Sequence, residues 1–191
     1  MSSTKDKAAT LLAKVYQIQD PFKRRLYVLA VATWMLAQEK SRNLPILVGG
    51  AAEEFYSLGG YATYDMDVVL GDRDRFGALL LELGFSKCPG ERHWYHEGLN
   101  IAIEVPDSVL AGSTGRIATV DVEGLNVYVI GIEDLIMDRL RVCVYRQSES
   151  DCEWASRLMA MHIESIDWDY LEELAEKENL GTTLTAMKDR S

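Results

Sequence analysis

Shortages say more about this sequence than any excess does. Glycine (14) and proline (4) are too few in 191 residues for a collagenous or low-complexity chain. Cysteine is scarce: Cys88, Cys143 and Cys152 are odd in number, widely spaced and form no CxxC pair, which leaves no zinc or redox motif. Reduced thiols in a cytoplasm are the resulting expectation. A chain of this length buries roughly 70% of its unfolded surface, so its core needs no covalent staples. Basic residues are also short, with 20 Lys and Arg against 30 Asp and Glu and a formal net charge of −10. Such a surface opposes unspecific binding to nucleic acid or anionic membrane, so a polyanionic ligand must be met locally by a metal, a helix terminus or a small basic cluster. Long apolar runs are missing as well. The longest, Leu26 to Ala37, covers twelve residues, whereas a bilayer requires about 20. It follows Lys23-Arg24-Arg25 as a signal peptide's apolar region would, but it starts too far from the N-terminus and reads as a buried helix.

What is present is a change of period along the chain. The first forty residues predict two helices broken near Asp20-Pro21, since Pro in the first turn after Asp is a start signal. Pro45 to Val48 is a short apolar run ending at Gly49-Gly50, Ala51 to Leu58 is helical, and Asp65 to Leu70 is strand-like with Gly71 closing it. Arg73 to Leu83 predicts a helix ended by Gly84. Strands are expected at His93 to His96, Asn100 to Val105, Ile117 to Val122 and Leu125 to Ile130, the last two joined by a Glu123-Gly124 hairpin turn. Beyond Gly131 the pattern is helical, with Ile132, Leu135, Ile136 and Leu140 on one stripe. Ser150 to His162 and Asp167 to Asn179 predict two further helices, and Gly181 stands where a C-terminal cap belongs. The expected class is α+β: N-terminal helices over 1–43, a mixed-sheet core flanked by helices over 44–130, and a C-terminal helical bundle over 131–191.

One stretch carries chemistry. A strand that stops at Gly49-Gly50 and enters a helix leaves backbone N–H groups free at the helix start, a place where phosphate binds well. Asp65 and Asp67 are two apart on a predicted strand, so both carboxylates project from one face with Cα atoms roughly 6.5 Å apart. Two acids held side by side repel unless a cation lies between them, and hard oxygen ligands suit Mg²⁺ or Mn²⁺. Acid-x-acid triplets are cheap in so acidic a chain, and Asp72-x-Asp74, Asp121-x-Glu123 and Asp167-x-Asp169 are read as turn or capping residues. Asp65 and Asp67 differ because Val68-Val69-Leu70 continues them into a core strand. In Asn100 to Val105 the alternation turns Ile101, Ile103 and Val105 to one face and Glu104 to the other. If that strand neighbours the Asp65 strand, three carboxylates converge, a set able to hold two divalent ions for phosphoryl or nucleotidyl transfer.

Gly49-Gly50, Thr63-x-Asp65-x-Asp67 and the later Glu104 resemble the DNA polymerase beta type nucleotidyltransferase superfamily. The helical Glu133-Asp134 to Leu140 segment and the stretch from Arg146 to Asp151 are similar, more narrowly, to small prokaryotic members related to abortive-infection (type IV toxin–antitoxin) nucleotidyltransferases. The resemblance implies a nucleotidyltransferase fold, Mg²⁺-dependent use of a nucleoside triphosphate (NTP), and a helical appendage closing over the nucleotide. It gives Asp65, Asp67 and Glu104 the metal and catalytic roles, and it places Gly49, Gly50, Thr63 and Arg139 at the nucleotide. Three positions depart from the commoner pattern: Ala51 where many members carry Ser or Thr, Tyr61 where abortive-infection relatives often have Arg, and Arg139 in place of a Lys.

The expected activity is transfer of a nucleoside monophosphate from an NTP to a hydroxyl acceptor, with tRNA, a protein side chain and a small molecule all open as acceptors. The alternative is a catalytically weak binding or regulatory module of the same fold, part of a toxin–antitoxin pair with a partner protein. The three acids favour the enzyme; Ala51 and Tyr61 favour the module. His93 and His96, three apart on a strand, face opposite ways and read as hairpin polar residues rather than a shared metal site. His162 reads as a helix-end residue and Lys23-Arg24-Arg25 as a solvated helix face. Arg139, Arg141 and Arg146 fit a phosphate or RNA patch and ion pairs with Glu133, Asp138 and Glu149 equally well.

Overall fold

The computed structural model describes residues 4–87, 90 and 92–189, so Cys88 lies outside the described residues. Helix α1 (Thr4–Ala13) runs through a short 3₁₀ turn into α2 (Pro21–Gln38), whose start is fixed by the Asp20 side chain accepting from the Lys23 amide at 2.6 Å. The apolar run is the buried helix the sequence predicts: Val28 to Ala32 are all solvent-inaccessible, and α2 packs on the sheet and on α4 (Arg73–Glu82).

The sheet has six strands, β1 (Ile46–Val48), β2 (Asp65–Val69), β3 (His93–His96), β4 (Ile101–Glu104), β5 (Ala118–Val122) and β6 (Leu125–Val129), in the order β3-β4-β2-β1-β6-β5. It is mixed: β2 is parallel to β4 and β1 to β6, while the other neighbours are antiparallel. This is the expected α+β architecture of a mixed sheet flanked by helices. Glu123 (φ 54°) and Gly124 (φ 81°) turn the β5–β6 hairpin in the left-handed geometry a tight turn needs. The three triplets set aside as structural are so: Asp72 caps α4, Asp167 caps the helix after it, and Asp121 accepts from the Gly124 amide.

Helix α3 (Gly49–Tyr56) follows β1 directly, and the C-terminal part consists of α5 (Ile132–Tyr145), α6 (Glu149–Met161), α7 (Trp168–Lys177) and α8 (Gly181–Lys188). Gly181 is not a cap. The left-handed residue after α7 is Asn179 (φ 59°), and Gly181 opens α8, a helix the sequence pattern did not reveal. The reduced-thiol expectation is also corrected, because Cys143 on α5 and Cys152 on α6 are joined by a disulfide with Cα atoms 4.8 Å apart. That bond removes the argument for a cytoplasmic setting. One apolar cluster extends from Ala8 to Leu184, drawing on both faces of the sheet. Among the described residues, no helix is long and apolar enough to cross a membrane.

Candidate active site

The pleat of two adjacent parallel strands builds the site. In register, Asp65 stands beside Ala102 and Asp67 beside Glu104, so the three acids share one face of the sheet. On the reverse face Met66, Val68 and Ile103 are fully buried, which pins the register, since a one-residue slip would drive the carboxylates into the core. The convergence of Asp65, Asp67 and Glu104 read from the alternation is therefore present.

Asp67 occupies the innermost position. Burial, then the neighbouring Asp65 and Glu104 charges, push its carboxyl up to about 6, with His93 and Arg139 pulling the other way. Asp65 is more open and is held by Thr63, whose hydroxyl donates to Asp65 Oδ1 at 2.8 Å. The Thr63 amide in turn donates to Glu54 Oε2 at 3.2 Å, and that oxygen also accepts from Arg25 Nη2 at 2.6 Å. Arg25 is thus engaged in a largely buried pair, a correction to the reading of 23–25 as a solvated face; Lys23 pairs with Glu123 and Arg24 donates to the Ile18 carbonyl.

Gly49 and Gly50 form the rim. Gly49 has φ +59°, and a Cβ there would lie 2.5 Å from Asp67 Oδ2, so both backbone geometry and space require glycine. A Cβ on Gly50 would meet Tyr61 Cε1 at 3.2 Å and the Thr63 Cβ at 3.4 Å. No side chain caps the start of α3, which leaves its first amides without a side-chain acceptor. Ala51 belongs to the apolar core.

Arg139, expected at the triphosphate, is occupied instead. Its Nη1 lies 3.0 Å from Asp151 Oδ1 and 3.6 Å from Glu53 Oε2. Its charge still reaches Asp67. Glu53 is 1% exposed and neither carboxylate oxygen has a hydrogen-bond partner, so burial lifts its carboxyl to about 7 against the pull of Arg139. Tyr61, the residue in place of Arg, packs edge-on against Trp154 of α6 with ring centroids 5.2 Å apart. Arg141 pairs with Asp138 and Glu178, which resolves the basic patch in favour of ion pairs for Arg139 and Arg141. His162 closes α6 as expected, its Nε2 2.8 Å from the Tyr56 carbonyl oxygen.

Three residues at or beside the candidate site escaped sequence reasoning: His93, Arg92 and Glu53. His93 is not an isolated hairpin residue: antiparallel pairing of β3 with β4 sets it opposite Glu104, its Nε2 3.0 Å from Glu104 Oε2 and 3.6 Å from Asp65 Oδ2. Arg92 Nε lies 3.2 Å from the other Glu104 oxygen. Counting back across the short 97–100 connector, which pairs His96 with Ile101, would have found His93. Glu53 carried no signal, because nothing in a helical GGAAEE run says that both glutamates are buried and that Glu54 is paired with Arg25 while Glu53 is not hydrogen-bonded. His96 accepts from the Leu99 amide and takes no part in the cluster.

Residues 24–190 match the family model described as "Nucleotidyltransferase of unknown function (DUF6036)", and the chain belongs to that family. Among solved structures, an antigenic nucleotidyltransferase-like protein from Paracoccidioides brasiliensis superimposes with a TM-score of 0.57 at 16% identity, covering 90% of this chain and 93% of that one. The antibiotic-resistance factor ANT(2'')-Ia does so with a TM-score of 0.50 at 14% identity, over 85% of this chain and 96% of its own. At such identities the likeness is one of fold. No curated protein sequence gives a significant match.

Proposed function

We propose that this nucleotidyltransferase-family chain is a metal-dependent enzyme that transfers a nucleoside monophosphate from an NTP to a hydroxyl acceptor. The observation that carries this reading is the placement of Asp65, Asp67 and Glu104 on one sheet face, with the start of α3 at their rim. The donor set fits divalent cations: Asp65, His93 and Glu104 each bring a ligand-type atom within 4.8 Å of the others, Asp67 adjoins them on the same face, and the neighbouring charges that add to burial in raising its carboxyl are what a bound cation relieves. When bound, such ions polarise the α-phosphate and lower the pKa of the attacking hydroxyl.

The chain's own residues then divide the work. Asp65 and Asp67 hold the ions, with Thr63 fixing the Asp65 rotamer. Glu104 completes one ion site or takes the acceptor proton. The amides following Gly49 receive phosphate oxygens, and the absence of a Cβ on Gly49 keeps Asp67 free to share that space. Arg139 contributes positive potential from its place between Glu53 and Asp151. From the helical region 131–191, Arg139 reaches Glu53 and Trp154 reaches Tyr61, and the divisions at 43/44 and 130/131 belong to this same proposal.

Incubation with α-labelled NTPs, a divalent ion and cell extract tests it, with label sought in RNA, protein and small-molecule fractions. Label is expected with the wild type and lost in Asp65→Ala, Asp67→Ala and Glu104→Gln. Label that persists in all three overturns the site. A second reading, a catalytically weak regulatory module such as one half of a toxin–antitoxin pair, is favoured by Tyr61 over Gly50 and by the ion-paired Arg139. Absence of label under every ion, together with retained NTP binding, selects it.

A further inference from the structure

His93 is the unexpected member of the cluster, and its position is set by backbone rather than by chance of rotamer. The β3–β4 register holds it opposite Glu104, and Glu104 is itself in register with Asp67 on the other side. One ligand-type atom from each of Asp65, His93 and Glu104 lies within 4.8 Å of the others. Around a six-coordinate ion with bonds of about 2.1 Å, adjacent ligand atoms sit roughly 3 Å apart and opposite ones roughly 4.2 Å. The separations of His93 Nε2 from Glu104 Oε2, 3.0 Å, and from Asp65 Oδ2, 3.6 Å, fall in that range.

The plainer account is an imidazolium ion-paired to Glu104. An N–H, however, points in one direction and serves one acceptor well, whereas this nitrogen lies between oxygens of two different carboxylates. Glu104 is also divided: Oε1 faces Arg92 and Oε2 faces His93, so the guanidinium already supplies this carboxylate with a cationic partner. His93 is half-exposed, leaving a route from solvent to the point between the three groups.

We propose that His93 is a nitrogen ligand, with Asp65 and Glu104, for one divalent ion, and that this makes the position prefer Mn²⁺ over Mg²⁺. Mg²⁺ dehydrates reluctantly and is bound through carboxylates and water, whereas a nitrogen ligand adds affinity for first-row transition ions, of which Mn²⁺ is the weakest binder and the nearest to Mg²⁺ in its carboxylate chemistry. The inference rests on the metal-dependent reading above and sharpens it, by replacing an all-oxygen site with a mixed one.

The test uses the full chain and the metal alone. Mn²⁺ and Mg²⁺ are titrated calorimetrically into wild type, His93→Ala and His93→Gln, and pulsed electron paramagnetic resonance on the Mn²⁺ form, with and without ¹⁵N-histidine, reads nitrogen coupling. Wild type is expected to bind Mn²⁺ about tenfold or more tightly than Mg²⁺ and to show histidine coupling. Both variants should lose the coupling and about tenfold of the Mn²⁺ affinity, with Mg²⁺ affinity changed less than about twofold. His96→Ala is the control and should match wild type. The wild-type spectrum shows whether a histidine is bound, and loss of the coupling in either His93 variant but not in His96→Ala assigns it, so one folded His93 variant suffices. Mn²⁺ bound without histidine coupling overturns the proposal and leaves the metal-dependent reading intact. Failure of wild type to bind either ion at millimolar concentration also overturns it, and label transfer by Asp67→Ala then judges the parent reading separately.

Discussion

Two groups of acids lie within this one domain and are used in opposite ways. Glu133 and Asp134, in the first turn of α5, are among the most buried charges of the chain, yet they are supplied with donors. Asp134 Oδ2 accepts from the Ser113 amide at 2.8 Å and Oδ1 from the Tyr170 hydroxyl at 2.7 Å. Glu133 accepts from the Asp167 amide at 2.9 Å and faces Arg116. The helix dipole favours both. Asp67 is less buried and worse supplied: Asp65 and Glu104 have Thr63, His93 and Arg92 as partners, whereas Asp67 is flanked chiefly by these two carboxylates. Depth of burial therefore does not separate a structural acid from a chemical one. At Asp67 the supply of donors does: the oxygens of Asp134 are filled by hydrogen bonds, while Asp67 faces the charges of Asp65 and Glu104, which a cation would offset.

The sharpest way to break this contrast is to truncate one member of each group. Asp67→Ala should reduce label transfer more than about a thousandfold, equivalent to roughly 4 kcal/mol of barrier, without loss of the fold. Asp134→Ala should instead strand the Ser113 amide and the Tyr170 hydroxyl and destabilise the protein by about 2–4 kcal/mol in urea unfolding. If Asp134→Ala proves neutral in stability, the division by donor supply is wrong.

Glu53 tests the same rule through pH. Burial raises its carboxyl from the ordinary 4.5 to about 7. An acid whose folded pKa lies above its unfolded value favours folding below pH 4.5 and loses that contribution as pH rises towards 7. The expected loss between those limits is on the order of 2–3 kcal/mol. Glu53→Gln should flatten that part of the stability profile, measured as the difference from wild type across pH 4.5–8. A difference that does not change with pH would show that Arg139, despite burial and the neighbouring Asp151, already holds Glu53 ionised.

The smallest effect concerns the unliganded site. Asp67→Asn keeps the shape and removes one of three repelling charges, so without divalent ions the melting temperature should rise, by the equivalent of about 1 kcal/mol. With NTP and metal at a hundred times their dissociation constant, wild type should gain about 2.7 kcal/mol and the variant little. Unchanged melting of the metal-free variant would mean that Asp67 is not strained by its neighbours.

What sequence made legible is what depends on neighbours along the chain. Alternation put Asp65 and Asp67 on one face of their strand and turned Glu104 away from the apolar face of its own, leaving only the β2–β4 pairing to bring them together; the Gly pair marked the strand-to-helix turn, and Asp20, Asp72 and Asp167 announced their helices. What depended on pairing across the chain was hidden. His93 joins the acids through an interstrand register, Arg139 is claimed by Asp151 and Glu53 from two other helices, and Arg25 reaches Glu54 across the core. Asn179 and Gly181 show a third limit. Both residue types terminate helices, and only the backbone reveals that the first ends α7 while the second begins α8. The Cys143–Cys152 bond was obscured by the odd count, since the nine-residue separation matches no redox or metal spacing.

The position of α2 has a consequence for synthesis on the ribosome. This helix is buried over most of its length between α1, α4 and the β5–β6 hairpin, yet roughly 80 residues of chain lie between Gln38 and Ala118. At about 5–20 residues per second, translation leaves the Leu26–Leu36 surface without its strands for about 4–16 s, far longer than hydrophobic collapse takes. During that interval the longest apolar run of the protein lacks its strand cover, and this is the stage of synthesis at which the chain is most open to aggregation.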